Sequence, residues 1–228
     1  LDYRRDLDAA ARLFARIHSV RVADANRLIY EARPLTMTYE ECARLLPVYL
    51  DSDLAAPELR DYFIELLAWA AEARLQEAYF LADPWPCIIN TEVNSGNFIA
   101  DRGRGTLHLV DWEKPLWGDP SQDLSHFSVP TTTLWKTDYR MGVADRRTFL
   151  DAYRAAIFDT HLRDTIIERV RLRDPFNCLR GISWSAMAWV TYQTGGHTVR
   201  NADTFRKVTA YLNLDFVRGL FDAYRRQP

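Results

Sequence analysis

The residues that most restrict what this chain can become run from Cys87 to Asp123, CIINTEVNSGNFIADRGRGTLHLVDWEKPLWGDPSQD. A short apolar run, Cys87-Ile88-Ile89, opens into a polar loop, Asn90 to Asn97. A second run, Phe98-Ile99-Ala100, ends in Asp101-Arg102-Gly103-Arg104-Gly105, and a third, Leu107 to Val110, leads directly into Asp111. Apolar runs this short, bounded by Gly and Asx clusters, predict small strands joined by a tight turn. A hairpin that folds back brings a carboxylate and a carboxamide of the loop, Glu92 and Asn97, towards a second carboxylate, Asp111.

Phosphoryl transfer from a nucleotide needs such a set. One carboxylate orients and deprotonates the attacking hydroxyl, and hard oxygen ligands hold Mg²⁺ against the phosphates. Asn97 follows Glu92 by five residues and Asp111 follows Asn97 by fourteen. In kinases a catalytic Asp precedes a metal-binding Asn by five positions, and a metal-binding Asp lies on a later strand end. The carboxylate–Asn spacing alone is better explained by an unrelated hairpin whose Asx residues cap turns. The sequence continues, however, with Asp111-Trp112-Glu113 and Gly118-Asp119-Pro120-Ser121-Gln122-Asp123-Leu124. With these, the stretch resembles the aminoglycoside/choline phosphotransferase-like kinases, whose signature is HGDxxxxN, a hairpin, DWE or DFE, then GDPxxDL.

The resemblance implies an α+β, mainly helical fold, the large C-terminal lobe of a protein-kinase-like enzyme with a small hairpin carrying the active-site loop. It implies transfer of the γ-phosphoryl of ATP to a hydroxyl of a small molecule. Glu92 becomes the base, Asn97 and Asp111 become ligands of Mg²⁺ and through it of the nucleotide, and Glu113 assists through water. Asp123 becomes a structural acceptor for the loop, which Asn90 and Asn94 support. The head of the signature departs from the family: Asn90-Thr91-Glu92 stands where the family has His-Gly-Asp. Glu keeps the carboxylate but displaces it by one methylene, and a misplacement of about 1 Å can cost roughly 100-fold in rate. Asn90 can anchor the loop but does not titrate as His does. The departure leaves a second expectation open, a catalytically inactive lobe used as a binding or regulatory module.

Net charge of −2 and a pI near 6.2 argue against a nucleic-acid platform. Of the 29 strong bases 26 are Arg, a bias that source base composition suffices to explain; the three Lys are Lys114, Lys136 and Lys207. Three scattered cysteines, Cys42, Cys87 and Cys178, make neither a disulfide framework nor a zinc set and read as small buried hydrophobes in a reducing compartment. No apolar run approaches membrane-spanning length and no signal peptide is evident, so the expectation is a soluble, cytoplasmic protein. Its 228 residues read as a single domain, helical over 1–86 and 112–228 with the catalytic loop and hairpin at 87–111.

In chain order, Leu7, Ala10, Ala11, Phe14, Ile17 and His18 predict an opening helix of the kind that begins the larger lobe in this family. Residues 20–37 read as a connection, followed by a short helix capped at Thr38 and running to about Leu46. A long helix is expected from Pro57 to Ala82, with Leu59, Phe63, Leu66, Leu67, Ala70 and Leu75 in the core and Glu65, Glu72 and Glu77 on a solvated face. Pro120 to Val129 reads as a short helix, and Pro130 to Tyr139 as a loop that either lines a pocket or packs on the surface. Helices are expected at about 145–158, 160–173, 175–194 and 202–226, the third with a core aromatic stripe and a Gly195-Gly196 stop. His197 reads as a loop residue.

A kinase of this kind also needs a small lobe with a Gly-rich loop and a strand Lys that grips the phosphates. This sequence has no GxGxxG and no Lys before Lys114, which leaves two expectations: a fragment of a longer kinase whose N-terminal lobe is the missing partner, which is favoured, or a relative without that lobe. The acceptor stays open among amino sugars, amino alcohols, sugars and amino acids.

Overall fold

The structure is a computed structural model that describes residues 1–195 and 201–225; the expected positions of Gly196, His197 and Arg226 lie outside them. The elements are α1 (Tyr3–His18), β1 (Ile29–Tyr30), α2 (Pro34–Leu45), α3 (Pro47–Leu50), α4 (Pro57–Ala73), α5 (Ala78–Ala82) and β2 (Cys87–Ile89). There follow β3 (Phe98–Asp101), β4 (Thr106–Leu109), β5 (Leu116–Gly118), α6 (Ser121–Ser128), α7 (Pro130–Lys136) and α8 (Val143–Ala156). The last are α9 (Thr160–Gln193), α10 (Ala202–Tyr211) and α11 (Leu214–Arg225). They group into two compact units, Leu1–Pro34 with Ala78–Asp174, and Leu35–Glu77 with Pro175–Pro228. None of the described helices is long and apolar enough to cross a membrane.

The first unit is built on α1. Asp2 caps the helix by accepting from Arg4 N at 3.0 Å, and Asp6 lies in the first turn, where a negative charge suits the helix dipole. Leu7, Ala10, Ala11 and Phe14 form its buried stripe. The two alanines let the helix backbone approach its neighbours, and α1 packs against α8, β2 and β4. Phe14 meets Phe98, Phe127 and Phe149 edge-on, with centroids 5.4–6.2 Å apart, so one ring joins helix, hairpin and two later helices. Full burial of such a ring contributes about 2–3 kcal/mol. Two small sheets complete the unit: β5 lies between β1 (parallel) and β2 (antiparallel), and β3 pairs with β4.

Two arginines of α9, one turn apart, are fully buried beside these strands. Arg169 binds Asp119 at 2.5 Å and both the side chain and carbonyl of Asp83 at 2.6–2.7 Å. Arg173 binds Glu31 at 2.5 Å and donates to the carbonyl of Pro34. Burial pushes the Glu31 carboxyl up, and the guanidinium of Arg173 opposes that shift. Buried charges of this kind persist only when paired and hydrogen-bonded. The network therefore holds three separate segments against one helix face.

In the second unit Leu59, Phe63, Leu66 and Ala70 of α4 are buried with Cys42, Leu46 and Tyr49, and Val217 and Phe221 of α11 are fully buried. Tyr62 donates to Asp222 at 2.9 Å, which fastens α4 to α11. All three cysteines are buried and unoxidised.

Several sequence expectations change. The helix expected from Thr38 starts at Pro34, because Pro is favoured at the first helical position where its missing N–H costs nothing. Its orphan amides are met by Glu77, expected on a solvated face but buried: one carboxylate accepts from Leu35 N, Thr36 N and the Thr36 hydroxyl at 2.8–3.0 Å. That placement needs a change of helical phase, and the helix expected over 57–82 indeed passes through a 3₁₀ turn at Arg74–Glu77, which leaves Leu75 exposed. The expected loop 130–139 is helical over Pro130–Lys136, again with Pro in its first turn. The helices expected at 160–173 and 175–194 are one, α9, with Pro175 inside it. Pro removes one backbone bond there without ending the helix. Its aromatic stripe divides, with Trp184 exposed and Tyr192 buried. The expected last helix breaks between Tyr211 and Leu214, and β5 adds a strand within a segment expected to be helical.

Glu77→Ala strands two buried backbone amides and a hydroxyl; a loss of about 2–4 kcal/mol in unfolding free energy is expected by urea titration. Glu77→Gln, which keeps one acceptor, is expected to lose less than half of that.

Candidate functional site

Strand β2 delivers the chain into the loop 90–97, and the loop is held from its backbone. Asp123, fully buried at the start of α6, accepts from Asn90 N and Thr91 N at 2.8 Å each. Asn90 works in both directions: its Nδ2 donates to the carbonyl of Asp111 at 2.9 Å and its Oδ1 accepts from Glu92 N at 3.0 Å. Asn94 caps the 3₁₀ turn Ser95–Asn97 by accepting from Gly96 N at 3.0 Å. Asn97 then closes the loop, its Nδ2 donating to the carbonyl of Glu92 at 2.7 Å.

The hairpin pairs Phe98 with Leu109 and Asp101 with Thr106, which buries Phe98, Leu107 and Leu109 and exposes Ile99 and His108. Asp101 Oδ1 accepts from Gly103 N and Arg104 N at 3.0 Å, and Gly105 supplies the left-handed residue of the turn, φ 65°. Arg102 binds Asp6 of α1 through two nitrogens at 2.5 and 2.8 Å, fixing the hairpin on the helix and holding the Asp6 carboxyl below its usual range. Val110 N donates to the carbonyl of Asn97 at 2.9 Å, so the end of the hairpin lies against the loop.

Asp111 follows with φ 63°, and its Oδ2 is 3.4 Å from Asn97 Nδ2. Among the described residues, Asp111 and Thr91 (φ 71°) are the non-glycine positions with positive φ. Asp adopts this conformation more easily than most residues, whereas for a β-branched Thr it is an outlier. Such outliers cost on the order of 1–3 kcal/mol, persist only where the surroundings over-determine them, and cluster at functional sites. Thr91 occupies the position of glycine in the His-Gly-Asp signature. Its amide is fixed by Asp123, and its hydroxyl donates to the carbonyl of Lys114 at 3.3 Å. Glu92 is half-buried, and Asp111 and Glu113 are exposed.

Residues to which the sequence assigned no part in the site, Tyr153 among them, support this arrangement. His18 and Tyr153 are buried with Asp123, the His18 ring lying 3.0 Å from the Tyr153 hydroxyl and 3.4 Å from Asp123 Oδ2. Burial drives the Tyr153 hydroxyl and the Cys87 thiol well above their ordinary pKa, which keeps both protonated and the thiol inert. Gly118 is required by close approach: a Cβ there would sit 2.7 Å from Ile89 Cδ1 and 2.8 Å from Glu31 Oε2. A buried Tyr or Arg has no sequence period of its own, so Tyr153, Arg169 and Arg173 carry no signal until the fold is known.

The donor chemistry fits Mg²⁺. Among the described residues no group of three or more His, Cys, Asp or Glu forms a metal cluster, but Mg²⁺ normally takes one or two carboxylates and completes its shell with phosphate and water. Asp111 and Asn97, whose side chains approach to 3.4 Å between Oδ2 and Nδ2, carry the oxygen types for such a partial set.

Asp123→Ala leaves two buried N–H groups unpaired; it is expected to destabilise the protein by about 3 kcal/mol or more. Hydrogen exchange at Asn90 and Thr91 is expected to accelerate well beyond that of the hairpin amides.

Three comparisons bear on the arrangement. The structure aligns with Plasmodium vivax ethanolamine kinase at a TM-score of 0.65 and 12% sequence identity, covering 100% of this chain. The chain spans 62% of the length of that kinase. At this identity the likeness shows the fold, a mainly helical kinase-like large lobe, as the sequence led us to expect. No curated protein is matched significantly by the sequence. The profile of the phosphotransferase enzyme family matches residues 2–165, which include the loop, the hairpin and Asp123; the chain belongs to that family.

Proposed function

We propose that this chain carries the reacting centre of an ATP-dependent small-molecule kinase, which transfers the γ-phosphoryl to a hydroxyl. The convergence of Asn97 and Asp111 beside the backbone of Glu92 is the observation that carries this reading. The Glu92 carboxylate accepts the proton of the attacking hydroxyl, and Asn97 Oδ1 and Asp111 hold Mg²⁺. Mg²⁺ held by these residues would supply positive charge against the phosphates of the nucleotide. Glu113 would assist through water, and Asn90, Asn94 and Asp123 keep the loop in place. Family membership supports phosphotransfer, and the pinned main chain of Glu92 supports a working base despite the longer side chain.

The grip on the phosphates comes, in this reading, from a small lobe outside residues 1–228, because no Gly-rich loop or Lys precedes Lys114. The acceptor is a hydroxyl-bearing small molecule, the class to which the ethanolamine of the structural neighbour's name also belongs. Buried, unoxidised thiols and the need for ATP suit the cytoplasm.

A ligand that binds only the native state raises its melting temperature. Millimolar ATP with Mg²⁺ is expected to stabilise the full-length protein, and Asp111→Asn is expected to abolish that shift. Glu92→Gln should retain the shift but lose about 10²–10⁴-fold in turnover, measured as MgATP hydrolysis with water as acceptor. An unshifted wild type would favour the inactive binding module to which the Asn-Thr-Glu sequence also points.

A further inference from the structure

The proposed centre includes three carboxylates, Glu92, Asp111 and Glu113, yet the group to be transferred is itself anionic. Charge spread over the equatorial oxygens of a phosphoryl group in flight must be met by cations already in place. The hairpin's bases are turned to other partners, Arg102 to Asp6 and Arg104 to Asp101. Helix α7, in contrast, packs its residues against the turn Ser95–Asn97. A Cβ placed on Gly96 would lie 3.9 Å from Lys136 Cγ, so the stem of Lys136 passes over the tip of the loop, one residue from Asn97. Its head is exposed, and Nζ lies 6.0 Å from the Trp135 ring centroid, at the outer limit of a cation–π contact, which leaves the flexible ammonium able to reach a ligand.

Composition adds an independent observation. In a chain that uses Arg for 26 of 29 strong bases, two of the three Lys flank this loop: Lys136 at its tip and Lys114, whose carbonyl receives the Thr91 hydroxyl. Arg is a rigid planar fork, whereas Lys is a compact point charge on a flexible stem, suited to following a phosphoryl group whose geometry changes.

We propose that Lys136 is a catalytic residue of this centre, placing its ammonium on the oxygens of the transferring phosphoryl group. The proposal rests on the phosphotransferase reading above. In the step it serves, the acceptor oxygen gives its proton to the Glu92 carboxylate and forms a bond to the γ-phosphorus. The bond from that phosphorus to the β–γ bridging oxygen breaks, and its electron pair leaves with ADP. Lys136 donates hydrogen bonds throughout and loses no proton.

The test uses the full-length protein, with MgADP and aluminium fluoride as a mimic of the transferring group. Transition-state stabilisation requires tighter binding of the mimic than of the ground state. Lys136→Met is expected to leave the unliganded melting temperature and the MgADP affinity within twofold-equivalent error of wild type. It is expected to lose the additional aluminium-fluoride-dependent stabilisation and about 10²-fold in MgATP turnover. Lys136→Arg, which keeps the charge, is expected to recover part of both, which a packing role would not produce. Retention of the fluoride-dependent shift in Lys136→Met overturns the proposal, as does a loss that appears in Lys114→Met instead. If wild type binds MgADP but gains nothing from aluminium fluoride, the assignment of Lys136 fails alone. If wild type binds no MgADP, the phosphotransferase reading fails and takes the assignment with it.

Discussion

The carboxylate of Asp123 has no exposed surface, and the geometry of the site follows from how it is satisfied. An ionised carboxylate taken out of water costs several kcal/mol unless its lone pairs are met. Here they are met by two main-chain N–H groups at 2.8 Å and by the imidazole edge of His18. Those partners come from the end of β2 and the end of α1, and Asp123 itself from α6. The three elements cannot separate without taking from that carboxylate its hydrogen-bond partners. Because two of the bonds go to the backbone of consecutive residues, they fix peptide planes as well as a side chain. That is what makes a left-handed Thr91 tolerable.

The same logic operates a few residues away with opposite charges. Arg169 and Arg173 lie four residues apart on α9 and present two guanidinium groups to one side, where Asp119, Asp83 and Glu31 converge. Asp119 also caps α6 by accepting from Ser121 N at 2.9 Å. The segment from Gly118 to Asp123 is thus clamped at both ends, by arginine at Asp119 and by the loop amides at Asp123. A single missing Cβ, at Gly118, makes room for Glu31 between them. Removing any one charge would leave its partners buried and uncompensated, so this network specifies the arrangement more than it adds net stability.

Much of this was legible in the sequence, for identifiable reasons. Asp111, Asn97 and Glu92 sit at fixed offsets along a strand, a tight turn and a strand, and local geometry leaves such a hairpin little freedom. The opening helix was legible because its apolar residues follow one helical period to the end. What escaped depends on distant partners. Glu77 looks like a surface residue of a continuous helix until the 3₁₀ turn rotates it inward, and its reason for being there is the N-terminus of α2, forty residues earlier. Pro175 reads as a terminus because Pro usually is one, and only packing along the rest of α9 carries the helix through it. Arg169 and Arg173 gave no sequence signal, because buried charges are rare and have no period of their own.

The replacement of His-Gly-Asp by Asn-Thr-Glu can be judged in these terms. Glycine in the family signature provides positive φ without strain; here Thr adopts it because Asp123 and the carbonyl of Lys114 hold it on both sides. Asn90 supplies two directed hydrogen bonds, one to the carbonyl of Asp111 and one from the amide of Glu92, and so ties the loop to the end of the hairpin. Glu92 keeps its main chain fixed at both amide and carbonyl. On the proposed reading, the difference that remains at Glu92 itself is one methylene in the side chain. A longer side chain on a fixed backbone reaches further towards an acceptor, so an acceptor hydroxyl would have to sit about 1 Å further from the loop than one served by Asp. On the proposed phosphotransferase reading, the altered head of the signature thus bears on which acceptor hydroxyl the loop would serve.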